Sequence, residues 1–400
     1  MPQILSFFSG KKLASTGVFT DDDLVDKLNH DFTSVVLVVL AVVISARQYV
    51  GDQIQCWVPG YFTSTYVDYT GKICWVTNTY HLPFNENVAD ADGSPNKRKI
   101  SYYQWVHMML IVQALLFYAP AVLWRSYNVA AGINLNNLIQ AARKLGDPNQ
   151  RDKTITYIGR HVDRYLGHYR DEERGVLARF RASVARRLHF MPGKKYGNYL
   201  AVLYLLVKVM YLANVVGQMF FMNVFLSADY HWYGINLLTH LARYEDWPQS
   251  GVFPRVTICN FKVRQLGGNV HRYTVQCVLP INFFNEKIYL FLWFWLVMVF
   301  AFTFVSLIVW IYKIGFRRER LNFVKLHLAT IGKMTQDTDR RIVQRFATEY
   351  LRQDGIMVLR LIGLNTDGIA VSEIVGELWD KFRASPVFNE DENASDIDDV

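Results

Sequence analysis

Residues 102–124 read YYQWVHMMLIVQALLFYAPAVLW. A cluster of rings and amides, Tyr102-Tyr103-Gln104-Trp105-Val106, leads into an apolar run whose polar members are His107 and Gln113. Tyr and Trp collect where water meets lipid, because their rings are apolar and their tips polar. The stretch therefore reads as a membrane-spanning helix entered through an interfacial belt. About 20 helical residues at 1.5 Å each cross the roughly 30 Å hydrocarbon layer. Pro120 interrupts the helical hydrogen bonds four residues before Trp124 and predicts a helix kink. His107 stands alone and reads as a packing residue.

Three further runs have membrane length: Phe32 to Val50, Tyr199 to Leu226, and Ile288 to Ile311. Half of the residues are hydrophobic (51%) and 15% are aromatic, and their bunching into four runs excludes an ordinary soluble domain. The first run is the weakest, since its purely apolar part stops at Ala46 before Arg47-Gln48. Ahead of Phe32 stand Asp21-Asp22-Asp23 and no apolar signal-peptide core, so the first span is expected to double as the targeting signal.

Basic residues set the orientation. Residues 126–198 carry 14 Lys and Arg and the chain after Tyr312 carries 13, against 4 in 51–101 and 6 in 227–287. Both termini and the middle segment are thus expected inside, with the first and third connections outside. The net charge of +8 is first a topology signal and second a hint of anionic lipid contact; no nucleic-acid partner is needed to explain it. The expected divisions are an amino-terminal segment at 1–31 and spans at 32–50, 102–125, 199–226 and 287–312. Outside loops fall at 51–101 and 227–286, a cytoplasmic helical loop at 126–198, a helical carboxy-terminal region at 313–385 and an acidic, disordered tail at 386–400.

All four cysteines, Cys56, Cys74, Cys259 and Cys277, fall in the two outside loops. That segregation is what disulfides in an oxidising compartment produce. Three connectivities are open, and spacing does not choose among them. Val263 and Tyr273 flank Gln265-Leu266-Gly267-Gly268-Asn269, a hairpin signal that would set Cys259 opposite Cys277. The alternative ties the two loops together.

Elsewhere the signals are plainer. Thr20 ahead of three aspartates reads as a helix start, with acids near the positive end of the dipole. The cytoplasmic loop has helical periodicity and many arginines, including Arg160, Arg164, Arg170, Arg174, Arg179 and Arg181, and reads as a solvated basic layer. Lys208 lies about 13 Å into the third span by the rise per residue. Two placements are open: snorkelling to the headgroups, or facing protein or water. Residues 321–384 offer apolar helical faces, with Gly332, Gly355, Gly363 and Gly368 as breaks. Ser395 among acids has the form of an acidophilic kinase site, and Asp398-Asp399-Val400 that of a weak PDZ ligand. No cytoplasmic thiol, metal-spaced His/Glu pair, phosphate loop or Ser/His/Asp set is present, so no catalytic, metal or cofactor assignment is made.

Several motifs together resemble the innexins, the invertebrate gap-junction proteins related to pannexins. They are Tyr102-Tyr103-Gln104-Trp105-Val106, Cys56-Trp57-Val58-Pro59, Cys74-Trp75-Val76-Thr77-Asn78-Thr79-Tyr80, Phe253-Pro254-Arg255-Val256-Thr257, Gln276-Cys277-Val278-Leu279-Pro280-Ile281-Asn282, Asn285-Glu286-Lys287-Ile288-Tyr289 and Leu378-Trp379. Two cysteines per outside loop is the innexin and pannexin count; connexins carry three. The resemblance implies an all-α polytopic membrane protein: four transmembrane helices, two disulfide-bonded extracellular loops with some β structure, and a helical cytoplasmic dome. It implies a homo-oligomeric hemichannel, expected to be octameric, docking with a second ring in the apposed cell to pass ions and small molecules. Other innexins are further expected partners.

The resemblance also implies the pairing Cys56–Cys277 and Cys74–Cys259. It implies an amino-terminal funnel (Pro2, Gln3, Ile4, Leu5, Phe7 and Phe8) and a pore lining that includes Arg47. Pannexins commonly carry N-glycans on an outside loop, where they hinder docking. Here the single Asn-x-Ser/Thr sequon is Asn393-Ala394-Ser395, in the expected cytoplasmic tail. That favours a gap junction over a solitary hemichannel, or over a four-span adhesion protein.

Overall fold

The computed structural model describes residues 21–51, 53–82, 98–146, 150–167, 197–227, 230–242, 252–264, 267–334 and 340–384. In chain order its elements begin with α1 (Leu24–Val50), β1 (Gln55–Trp57), α2 (Ser64–Val76), β2 (Thr79–His81), β3 (Arg98–Ile100) and α3 (Val106–Ala130). Then come α4 (Leu135–Arg143), α5 (Arg151–Gly167), α6 (Tyr199–Leu226), α7 (Tyr233–Ala242), β4 (Val256–Arg264), β5 (Val270–Val278) and α8 (Pro280–Gly315). Last are α9 (Arg317–Thr330), α10 (Arg340–Arg345), α11 (Arg352–Asn365) and α12 (Gly368–Arg383). Helices α1, α3, α6 and α8 are long and apolar enough to cross a membrane.

Three of these four extend beyond the apolar runs that announce them. α1 begins at Leu24 rather than Phe32, because the Asp23 carboxylate accepts the Asp26 backbone N–H at 2.8 Å and caps the first turn. Leu28–Phe32 then forms a widened π-type turn, in which the Thr33 hydroxyl donates to the Leu28 carbonyl at 2.7 Å. The Tyr102–Gln104 run is a separate 3₁₀ turn, and α3 starts at Val106 and continues past Arg125 to Ala130. α8 starts at Pro280, where proline's fixed φ suits a first helical position, and runs 36 residues. α6 keeps the bounds expected from the sequence.

The chain divides into two compact units. One takes residues 28–119 and 212–302, and its core includes Leu37, Ile44, Tyr103, Phe117, Tyr230, Tyr289 and Leu292. Its five-stranded antiparallel sheet has the order β1-β5-β4-β2-β3. The hairpin read from the sequence is present as β4 and β5, in a register that sets Thr257 opposite Cys277 and Cys259 opposite Val275. Cys259 and Cys277 are therefore not cross-strand neighbours. The first connection carries helix α2, whose Cys74 and Thr70 are buried.

The other unit takes residues 1–27, 120–211 and 303–400. Its core joins Trp124, Tyr204 and Trp310 to apolar faces of α4, α5, α11 and α12, among them Leu138, Ile158, Val162, Leu359, Ile374 and Trp379. The basic segment is thus amphipathic rather than solvated all round: arginines such as Arg160 face water while Ile155, Ile158 and Val162 are buried. Gly332 ends a helix with φ +70°, as expected of a break. Gly355 and Gly363 do not break α11. An added Cβ at either would lie 3.2 Å from Leu166 Cδ1 or Val371 Cγ2, so these glycines admit close helix packing.

Candidate functional site

The residues singled out by the sequence gather at two places, one in each unit. In the first, β1, α2 and the β4–β5 hairpin meet at two bridges. Cys56 is joined to Cys277, its directly opposite neighbour across β1 and β5, and Cys74 on α2 is joined to Cys259 on β4. The sulfurs of Cys56, Cys74 and Cys277 lie within 4.8 Å of one another. All are oxidised, so none offers a thiolate to a metal.

The aromatic belt holds this bridge layer to the start of α3. The Tyr103 hydroxyl donates to the Trp75 carbonyl at 3.2 Å, and the Gln104 amide donates to the same oxygen. Trp75 packs on Tyr103 with ring centroids 4.7 Å apart. The Tyr102 hydroxyl donates to the Val252 carbonyl at 2.9 Å, and its ring meets Phe253 edge-on. Val106 is buried, whereas Trp105 is exposed. The Phe253-Pro254-Arg255 run closes on the head of α8: Asn282 donates to the Pro254 carbonyl at 2.8 Å, and Arg255 pairs with the buried Glu286 at 3.0 Å. Each of these motifs therefore fixes the backbone around a cysteine or a helix start.

Of the pore candidates, Pro2, Gln3, Ile4, Leu5, Phe7 and Phe8 lie outside the described residues, as does the sequon at Asn393. Arg47 is exposed on α1, with its guanidinium 5.0 Å from the Phe284 ring centroid. His107 packs edge-on against Tyr49. Gln113 donates to Gln218 at 2.9 Å, joining α3 to α6 through a buried amide pair. Pro120 sits inside α3, which continues through it.

The second place is a buried ionic cluster. Lys208 does not snorkel; its side chain is fully buried, 2.5 Å from Asp23 Oδ2 and 2.8 Å from Asp26 Oδ1. Ser306 and Trp310 on α8 donate to Asp23 Oδ2 at 3.1 and 2.8 Å, and the Tyr204 hydroxyl donates to Asp26 Oδ2 at 2.7 Å. Burial pushes the Asp23 carboxyl up, but the Lys208 ammonium and the donors around it outweigh burial, so it titrates below the ordinary carboxylate value. Asp21, buried beside Asp22, is pushed up to about 6.

Asp354 forms a third contact that sequence reasoning missed. It is buried in α11 and accepts the Ala201 N–H at 2.9 Å and the Tyr165 hydroxyl at 3.2 Å, capping the start of α6 from elsewhere in the chain. Its own backbone N–H donates to the Gly197 carbonyl at 3.0 Å. Burial raises its pKa to about 6 despite those donors. The signal available was an acid beside the run Ile356 to Ile362, which is apolar except for Arg360.

Four spans, with two bridges tying the connection after the first to the connection after the third, define a class: a four-span membrane protein with disulfide-locked loops. The innexin family model matches residues 22–382. The chain is 38% identical over 95% of its length to Innexin unc-9 of Caenorhabditis elegans, covering 97% of that protein. It is 36% identical over 93% of its length to Innexin-3 of the same organism, covering 86% of it. It is 32% identical over 96% of its length to Innexin-19 of Caenorhabditis briggsae, covering 92% of it. The chain belongs to the innexin family. Membership makes it, in general terms, a multi-pass plasma-membrane protein of gap junctions and a channel subunit.

Proposed function

We propose that the chain forms oligomeric hemichannels, expected to be octameric, that dock across two cells and pass ions and small molecules. The observation that carries this reading is the bridge layer. Two disulfides, one sheet and the Trp75 carbonyl clamp tie the described parts of both connections into one layer. Docking needs a preorganised face, because ordering a mobile loop on contact would consume binding energy. In this reading the bridge layer is extracellular and both termini are cytoplasmic. The segment from Pro2 to Phe8 funnels into the pore, Arg47 contributes to its lining, and Pro120 kinks the second span. Selectivity follows from pore width and lining charge. Membrane lipid surrounds the spans, further innexins join or face the ring, and the final residues offer a weak PDZ ligand.

The test is dual voltage clamp on paired cells lacking endogenous coupling, each expressing the chain. Junctional current is expected. Non-junctional membrane current without it would move the reading to a hemichannel opening to the medium. Silence in both, with the protein at the surface, would favour a four-span adhesion or scaffold role. Deleting residues 2–8 should alter gating or permeability, and unchanged currents would remove the funnel.

A further inference from the structure

The carboxy-terminal end of the fourth span meets a cluster of cations drawn from three helices. Lys313 stands in the last turn of α8, Arg317 and Arg320 share a face at the start of α9, and Arg360 comes from α11. Arg360 is buried, with its guanidinium 4.7 Å from the Phe323 ring centroid and its Nη2 donating to the Glu319 carbonyl at 3.2 Å. The like charges repel one another, Lys313 against Arg360 and Arg320 against Arg317. Burial and the Arg317 charge together hold the Arg320 guanidinium below its ordinary pKa. The acids within reach are Glu319, engaged by Arg360 at 3.5 Å, and Asp23, engaged by Lys208.

An arginine run just past a span is expected from topology alone. That rule requires neither Arg360, which lies 41 residues from Glu319 in the chain, nor a half-buried Arg320. The Nε–H groups of Arg320 and Arg360 are buried without an acceptor among the described residues, and Arg317 has no ion-pair partner among them. Buried guanidinium donors ordinarily meet acceptors. The start of α9 adds to the excess of donors. Its N-cap, Phe316, supplies no side-chain acceptor, so the first-turn N–H groups and the positive end of the dipole lie at the same place. A stripe of exposed apolar residues, Val305, Ile308, Tyr312 and Phe316, runs along α8 up to this cluster.

We infer that these groups bind the phosphomonoester headgroup of an inositol lipid, with its acyl chains against the apolar stripe. Lys313, Arg317, Arg320 and Arg360 against the single carboxylate of Glu319 leave an excess of three positive charges. A phosphodiester lipid offers little to balance it, whereas each phosphomonoester brings about −1.5 to −2 and three acceptor oxygens. Arginine forks engage such oxygens bidentately, and basic pockets beside a span on the cytoplasmic side hold headgroups of this kind. The inference rests on the cytoplasmic placement of the chain after the fourth span.

The test measures binding of dioctanoyl phosphatidylinositol bisphosphate to the full-length oligomer in detergent by calorimetry. Dioctanoyl phosphatidylserine and free inositol trisphosphate are the comparison probes. Wild type is expected to bind the bisphosphate lipid about tenfold or more tighter than either. R317Q/R320Q is expected to lose about tenfold or more, and R317K/R320K, which keeps the charge and disturbs assembly less, several-fold. R318Q, on another side of α9 by the helical repeat, is expected to stay within about twofold. Equal binding by wild type and R317Q/R320Q, eluting as the same oligomer, would overturn the inference. So would phosphatidylserine bound as tightly as the bisphosphate, or an equal loss in R318Q, since either means diffuse charge. Inositol trisphosphate bound as tightly as the lipid would overturn the lipid in favour of a soluble phosphate. Each of these outcomes leaves the gap-junction reading standing. A carboxy-terminal epitope stained in unpermeabilised cells would instead overturn the cytoplasmic placement and the inference together, so the two failures are distinguishable.

Discussion

The Lys208 ammonium lies 2.5 Å from Asp23, the residue that caps α1, and 2.8 Å from Asp26 in its first turn. One side chain on the third span thus neutralises two acids at the start of the first. Its ammonium also stands 5.3 Å from the Tyr204 ring centroid, which adds a cation–π contact.

Lys208→Met should therefore be among the most damaging single changes, because it leaves two carboxylates buried without a counter-charge. A loss of about 3–5 kcal/mol is expected. Thermal melting of the detergent-solubilised oligomer, followed by size-exclusion chromatography, measures it. K208M combined with Asp23→Asn and Asp26→Asn should recover a large part of that loss. No recovery would mean that packing, rather than charge, governs the site.

The Asp354 cap makes a signed prediction about pH. Its folded pKa of about 6 exceeds the ordinary value of 3.8, so the folded state binds the proton more readily than the unfolded state. Its contribution to stability is fully present below pH 3.8 and is lost as pH rises through about 6, a swing of roughly 3 kcal/mol. Asp354→Asn keeps an acceptor for the Ala201 N–H and removes the titration, so the melting temperature should change less between pH 4 and 6 than in wild type. Asp23 acts in the opposite sense: its stabilisation is present above the ordinary carboxylate value and fails only as pH drops through its lowered pKa. An unchanged profile in D354N would remove Asp354 as the titrating group.

The Trp75 carbonyl accepts from both Tyr103 and Gln104, so the two donors should couple. Tyr103→Phe alone should cost about 1 kcal/mol, since Gln104 still satisfies the oxygen. Gln104→Leu alone should behave similarly. The double variant leaves a carbonyl beside a disulfide with neither donor and should exceed the sum. Thermal melting of the oligomer reports the coupling, and strict additivity would refute it.

Gly234 is expected to tolerate no side chain. An added Cβ would sit 2.2 Å from Trp293 Cε3, and the indole is held by its N–H donated to the His231 carbonyl at 3.0 Å. Gly234→Ala should lower stability by about 1–3 kcal/mol. Adding Trp293→Leu should cost less in that background than in wild type. Melting of the four proteins of the cycle gives the answer.

What the sequence made legible follows from the reach of each signal. Apolar runs of about 20 residues are local, and all four spans could be read from them. The hairpin was legible too, because the Gly267-Gly268 turn and its flanking β residues are neighbours in sequence. Helix limits were less so, since Asp23 as a cap and Pro280 as a first turn lie outside the hydropathy signal. Lys208 showed as an anomaly without partners, because Asp23 lies 185 residues away in the chain. Asp354 reaches α6 across 153 residues, so the local pattern marks the acid without naming its partner. The cationic cluster past the fourth span needed the packing of α11, since Arg360 stands 41 residues from Glu319 in the chain.

The bridges also give the chain an unusual covalent topology. Cys56–Cys277 encloses Cys74–Cys259, with separations of 221 and 185 residues, so the polypeptide is one ring nested inside another. A protease that cuts anywhere between Cys74 and Cys259 opens both rings at once yet releases nothing. The two halves remain a single molecule until a reductant reaches the sulfurs.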